Sequence, residues 1–162
     1  MRFWDKITTQ EQAALWRTEL LALKKVLVMT NGCFDLLHPG HLCYLEEARQ
    51  LGDYLLVAVN SDDSISRLKG PQRPIRPEKE RCLMLAGLEM VSRVVLFSED
   101  TPFNLIELLK PDILVKGGDW PPDKIVGGPE TLARGGLVRS LSLLDGYSTT
   151  NLIENILARN AG

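Results

Sequence analysis

Five short apolar runs, set between helix-like segments, restrict the fold of this chain more than any other feature. They fall at residues 25–30, 54–59, 94–97, 113–116 and 137–143. The first four are apolar at consecutive rather than alternate positions, as in Tyr54-Leu55-Leu56-Val57-Ala58-Val59. A strand of that kind is buried on both faces, which is the habit of parallel sheets. The segments between the runs carry helix punctuation. Thr9-Gln10-Glu11-Gln12 reads as a capping box, and its helix places Ala13, Leu15, Trp16, Leu20, Leu21 and Leu23 on a stripe to be buried. Pro39 stands in the first turn of the next helix and Gly52 just past its end. Further helices are expected over 77–91, 103–109 and 149–159. The alternation predicts a Rossmann-like, doubly wound α/β fold on a five-stranded parallel sheet. At 162 residues the chain makes one domain, with a helix in residues 1–24 and the core in 25–162.

In such a sheet a ligand sits beyond the carboxyl ends of the strands. Every chemically conspicuous segment here follows a strand: residues 31–41, 60–81, 116–120 and 144–151. His38-Pro39-Gly40-His41 opens a helix, where unpaired N–H groups and a partial positive charge favour an anion. Its two imidazoles, three residues apart, share a helix face, and Gly40 lets a phosphate approach the backbone. Ser148-Thr149-Thr150 precedes an apolar helical segment. One hydroxyl suffices for an N-cap, so the others are available to an anion. Residues 67–81 hold six basic side chains against two acidic ones, with glycine and prolines between them, and read as a cationic loop able to close over a polyphosphate. In Lys116-Gly117-Gly118-Asp119-Trp120 the lysine suits a phosphate and Asp119 suits sugar hydroxyls, although a simple turn is also consistent.

Other readings of these residues stand beside that one. The histidine pair lacks nearby partners for a metal site. Asp35 either orients a bound group or makes an Asx-type turn. Cys33 has no evident base and reads as a small packed thiol rather than a nucleophile. Neither a Walker A sequence nor GxGxxG is present. A net charge of −2 argues against broad attraction to nucleic acid or membranes. No apolar stretch approaches the roughly 20 residues of a membrane span, and the first residues do not read as a signal segment. Three unevenly spaced cysteines do not make a disulfide framework, so a cytoplasmic setting is expected.

Taken together, these segments resemble the HxGH nucleotidylyltransferases, and within them the heptose 1-phosphate adenylyltransferase branch. The resemblance is carried by residues 30–41 (Thr-Asn-Gly-Cys-Phe-Asp-Leu-Leu-His-Pro-Gly-His), Val59-Asn60-Ser61-Asp62, Arg67-Leu68-Lys69-Gly70, Arg73-Pro74-Ile75, Glu80-Arg81, Asp100-Thr101-Pro102, Val115-Lys116-Gly117-Gly118-Asp119 and Ser148-Thr149-Thr150-Asn151. It implies transfer of AMP from ATP to D-glycero-β-D-manno-heptose 1-phosphate. On this resemblance His38, His41, Lys69 and Arg73 serve catalysis. Asn31, Gly32, Cys33, Phe34, Gly40, Asn60, Asp62, Ser148, Thr149 and Thr150 hold the nucleotide, with Asn60 and Asp62 at the nucleoside end. Asp35, Lys116, Gly117, Asp119 and Trp120 meet the sugar phosphate. Mg²⁺ is held by phosphates and water, with no protein ligand. The implied partners are ATP and a sugar 1-phosphate, without nucleic acid or membrane, in a homo-oligomer. Heptose enzymes of this kind occur fused to a sugar kinase, and this chain is similar to the stand-alone form. Cytidylyltransferases carry Arg-Thr-Glu-Gly before the hydroxyl trio; here Leu144-Asp145-Gly146-Tyr147 stands instead. That favours ATP over CTP and puts Tyr147 where a small residue or cysteine is expected. Glycerol-phosphate cytidylyltransferase, FAD-forming adenylyltransferase and a non-catalytic nucleotide-binding module are the alternatives.

Overall fold

The computed structural model describes residues 2–118, 120–142 and 144–160. Its elements follow the expected alternation, with β1 (Ile7–Thr8), α1 (Gln10–Ala22), β2 (Leu27–Gly32), α2 (Pro39–Gln50), β3 (Tyr54–Asn60), α3 (Asp62–Lys69), α4 (Glu78–Ala86), β4 (Arg93–Phe97), α5 (Phe103–Leu109), β5 (Ile113–Gly117), α6 (Gly128–Ala133), β6 (Leu137–Leu141) and α7 (Thr149–Asn160). The sheet has six strands rather than five, in the order β1-β4-β3-β2-β5-β6, and every pairing is parallel. The extra strand is the two-residue edge piece Ile7–Thr8, too short to leave a periodic signature.

Consecutive apolar residues divide between the two faces, as the pleat requires. Val28 packs with Leu45, Ala48, Leu55, Leu85 and Ala86 beneath α2 and α4. Its neighbours Leu27 and Met29 pack with Ala13, Leu20, Leu105 and Leu109 beneath α1 and α5. Burial of each of the leucine, valine and methionine side chains contributes about 1.5–3 kcal/mol. The chain moves outward from β2 through β3 to β4, then returns across the sheet to β5 on the other side of β2. The change of direction opens a crevice between the carboxyl ends of β2 and β5.

Several local expectations are corrected. α1 buries Ala13, Arg17 and Leu20, while Leu15, Leu21 and Leu23 face solvent. Arg17 is inside because its donors are matched: both terminal nitrogens reach Asp112 at 2.8–2.9 Å, and the carbonyls of Leu109 and Lys110 accept the rest. The segment expected as a helix to residue 91 stops at Ala86, where the Gly87 N–H closes on the Leu83 carbonyl. Residues 67–69 are helical rather than loop. Ser61 caps α3, two acidic residues open it, two basic residues close it and Gly70 follows; these are ordinary boundary signals. Strand β6 ends at Leu141, and Leu143 lies outside the described residues.

Candidate active site

The end of β2 bends sharply so that two aromatic groups fill space a larger backbone would take. Phe34 adopts φ 47° and lays its ring beneath Gly32, where a Cβ would sit 2.9 Å from a ring atom. His38 then caps α2 in extended backbone, and the His41 N–H donates to its carbonyl at 2.9 Å. The rings of His38 and His41 stack with centroids 3.8 Å apart, and His41 meets Phe34 at 5.3 Å. The space at Gly40 belongs to this packing: a Cβ there would lie 3.1 Å from two atoms of the His38 ring. The glycine thus seats an imidazole, and it also lines one of the clefts at this rim.

Nδ1 of both histidines is buried, and among the described residues neither has a hydrogen-bond partner. Burial lowers the pKa of His38. Burial, then the positive neighbours His38 and Lys69, bring His41 down to about 4. Both rings are therefore neutral at pH 7 and ready to charge against an anion. Because the folded value of His41 lies below the ordinary 6.5, the unfolded chain takes up its proton first as pH falls. Stability from this group is full above pH 6.5 and lost progressively down to about pH 4, by up to about 3 kcal/mol. Comparing melts at several pH values for the native chain and His41→Asn isolates the effect. The variant is expected to lose less stability between those limits, and equal losses would exclude it.

Asp35 is 2 % exposed. Its carboxylate accepts from the backbone N–H of Ile75 and Arg76 and from Arg73 Nε at 2.7 Å. Burial alone would raise its pKa, but the Arg76, Ile75 and Arg73 hydrogen bonds outweigh that and hold it below the usual carboxylate range. Asp35 thus anchors residues 73–76 to the end of β2 and orients Arg73. Arg81, 1 % exposed, completes the anchorage through the carbonyls of Arg76, Cys33 and Asn60 and the carboxylate of Asp62. Sequence reading counted Arg81 among the loop cations; its surroundings make it a buried tie between three segments. Arg67 pairs with Asp100 and Arg76 with Glu80. Lys69 is exposed and makes no ion pair among the described residues. The expected six-cation arm thus reduces, at the site, to Lys69 and an oriented Arg73.

Three connected clefts run along this rim. The central one, of about 570 Å³, lies between Asn31 and Gly32 of β2 and Lys116 and Gly117 of β5, and is reached by His41, Lys69, Arg73 and Thr149. A second, of about 800 Å³, shares those last four residues and extends to His38, Gly40, Tyr147, Ser148 and Thr150. A third, of about 520 Å³, shares Asn31 and Lys116 and continues over Trp120, Ile125, Val126 and Lys124. Burial lowers the pKa of Lys116; nearby Cys33 opposes that shift and Lys69 adds to it. Ser148 Oγ accepts the Asn151 N–H at 3.0 Å, the capping bond. Among the described residues the hydroxyls of Thr149 and Thr150 make no hydrogen bond.

Asn60 and Asp62 line none of these three clefts. The Asn60 side chain donates to Ser64 Oγ at 3.0 Å, and Asp62 pairs with Arg81 at 2.8 Å. Both are therefore engaged within the protein rather than presented at a nucleoside pocket. Asp119 lies outside the described residues. Lys124, Ile125 and Val126 escaped sequence reading because nothing in their order marks them; the turn after β5 carries them back to the rim. Among the described residues no group of three potential metal ligands gathers, and no helix is long and apolar enough to cross a membrane.

A cytidylyltransferase-like family model matches residues 29–155. Two curated relatives are each named "Bifunctional protein HldE". The chain is 56% identical over 135 residues to that of Syntrophotalea carbinolica, covering 83% of this chain and 28% of the relative. It is 52% identical over 152 residues to that of Haemophilus ducreyi, covering 94% and 32%. The chain thus spans about a third of the length of these relatives. Among solved structures it is similar to a lipopolysaccharide core biosynthesis protein from Thermoplasma volcanium, with TM-score 0.61 and 33% identity over 76% of this chain and 99% of that one. A pantoate-beta-alanine ligase from Francisella tularensis shares the fold at 14% identity, with TM-score 0.58 over 94% of this chain and 78% of that one. The family match begins at Met29 in the first central strand and takes in the imidazole pair, the rim of β5 and the hydroxyl trio: the chain belongs to the cytidylyltransferase-like family.

Proposed function

We propose that this chain is an adenylyltransferase that moves AMP from ATP onto a heptose 1-phosphate, giving ADP-heptose and pyrophosphate. The observation that carries the reading is the meeting, at the switch point of the sheet, of two buried unpartnered imidazole nitrogens, Lys69, Arg73 and Lys116, and two unengaged hydroxyls. Such a trough matches a polyphosphate, and the name of the similar solved protein, a lipopolysaccharide core biosynthesis protein, is in keeping with the heptose acceptor that the sequence resemblance implies.

A phosphate oxygen of the acceptor attacks the α-phosphorus in line. The new O–P bond forms as the bond to the β-phosphate bridge breaks, and the electron pair leaves with pyrophosphate. No covalent enzyme intermediate is needed, so positioning and charge stabilisation carry the rate. His38, His41, Lys69 and Arg73 stabilise the charge that moves onto the β- and γ-phosphates. Thr149, Thr150 and the N-terminus of α7 receive the leaving pyrophosphate, and backbone groups at Gly32, Cys33 and Phe34 line the floor beside Asn31. Lys116 meets the acceptor phosphate in the central cleft, next to Gly117. Asp35 is the carboxylate among the described lining residues, and its oxygens are bonded to residues 73–76. Mg²⁺ would be held by phosphate oxygens and water rather than by these residues, and would supply neutralisation of the triphosphate charge.

Because Asn60 and Asp62 are engaged elsewhere, the base is assigned to the third cleft. There Trp120, Ile125 and Val126 offer the flat apolar surface a purine requires. Trp120 is thus reassigned from acceptor to nucleotide. Trp120→Ala is expected to raise KM for ATP by roughly tenfold with little change in KM for the acceptor; steady-state kinetics with each substrate varied in turn decides between the two. The expected setting is a reducing cytoplasm, consistent with free Cys33, Cys43 and Cys82, and the expected assembly is a homo-oligomer, measurable by light scattering.

Pyrophosphate release tests the function directly, with ATP or CTP offered against D-glycero-β-D-manno-heptose 1-phosphate, glycerol 3-phosphate and FMN. Release is expected with ATP and the heptose phosphate. Preference for CTP or for another acceptor would move the chain to a different branch of the family. Binding of ATP without release for any acceptor would make it a binding module.

A further inference from the structure

Tyr147 stands at the outer end of a row of rings. His38 and Tyr147 lie 6.4 Å apart between centroids, with planes 24° apart, continuing the His41–His38 stack. Gly40 closes the same contact, since a Cβ there would fall 3.4 Å from the Tyr147 Cβ as well as against His38. The helix that follows has little other attachment. No residue of α7 is buried, and Leu152 and Ile153 are only half-buried. The Tyr147 hydroxyl makes no hydrogen bond among the described residues, so its contact is made by the ring.

We infer that Tyr147 is a positioning residue, whose ring packs along His38 over Gly40 and sets the hydroxyls of Thr149 and Thr150 in register with the imidazole pair. The inference rests on the ATP reading above and adds a residue to it. A small side chain at this position would leave the outer face of His38 open and α7 less firmly placed. ATP would then be gripped less well at its β- and γ-phosphates, while the acceptor side, at Lys116, would be unaffected.

The test compares Tyr147→Phe and Tyr147→Ala in the full chain by steady-state kinetics and by the imidazole proton signals, which are readily assigned because the sequence holds only two histidines. Tyr147→Ala is expected to raise KM for ATP roughly 3- to 10-fold and to lower kcat by a factor of the same order, with acceptor KM changed by no more than about twofold. It is also expected to move the His38 signal through the lost ring current. Tyr147→Phe is expected to match the native chain on both measures. The inference is overturned by an unchanged KM or an unchanged His38 signal in the alanine variant. It is equally overturned if phenylalanine falls as far as alanine, or if both KM values rise in proportion. Should the native chain turn over no ATP at all, the functional reading fails. The His38 signal and the binding of inorganic triphosphate would then still decide whether Tyr147 sets the register.

Discussion

His41→Ala is expected to lower turnover by at least about 10²-fold and to leave the fold intact. The imidazole is held between Phe34 and His38, at 5.3 and 3.8 Å, and faces the cleft beside Lys69 and Arg73. A well-placed donor aimed at developing charge contributes roughly 10²–10³ in rate, and a neutral imidazole whose N–H is not engaged within the protein is such a donor. The substitution removes a buried nitrogen that has no partner among the described residues, so folding loses only modest packing. Circular dichroism is expected to match the native chain, while pyrophosphate release collapses. Near-native release from the variant would falsify the assignment.

The largest effect on stability is expected from Arg81→Ala. This guanidinium satisfies three carbonyls and a carboxylate: Arg76 O at 3.0 Å, Cys33 O at 2.6 Å, Asn60 O at 2.8 Å and Asp62 Oδ1 at 2.8 Å. Its removal leaves three carbonyls without their donor and the half-exposed Asp62 without its partner, which costs about 3 kcal/mol. In a domain of this size that lowers the melting temperature by on the order of 10 °C. Arg81→Lys recovers only part of the loss, because an ammonium cannot reproduce the planar fork. Urea titration with an unchanged slope would assign the loss to the native state. A loss below about 1 kcal/mol would show that the surrounding carbonyls find other donors.

Much of the α/β frame was legible in the sequence because it depends on near-neighbour patterns. Continuous apolar runs require strands buried on both faces, and capping residues, Pro39 and Gly52 mark helix ends. The missed elements are those with weak local signals: a two-residue edge strand, the short helix α3 that runs into the cationic stretch, and the six-residue α6. Which leucines of α1 are buried was not legible, because that depends on how much of the helix the sheet covers. The site divides in the same way. His38, His41 and the hydroxyl trio stood out because their residue types at a helix start have few other uses. Asp35, Asn60, Asp62 and Arg81 were equally visible as residues, yet their engagements with one another and with residues 73–76 are made across as many as 41 positions of chain.

The order of residues by itself determined that strands and helices alternate and that each chemically equipped segment follows a strand. Only the tertiary structure decided which of those segments share a cleft. The return of the chain from β4 across the sheet to β5 brings Lys116 beside Asn31 and leaves Asn60 behind Arg81. The physical reason is that local pattern fixes the direction of a strand and the start of a helix. Whether a charged side chain faces a ligand or a neighbouring carbonyl depends on which unpaired groups the packed sheet brings within hydrogen-bond reach.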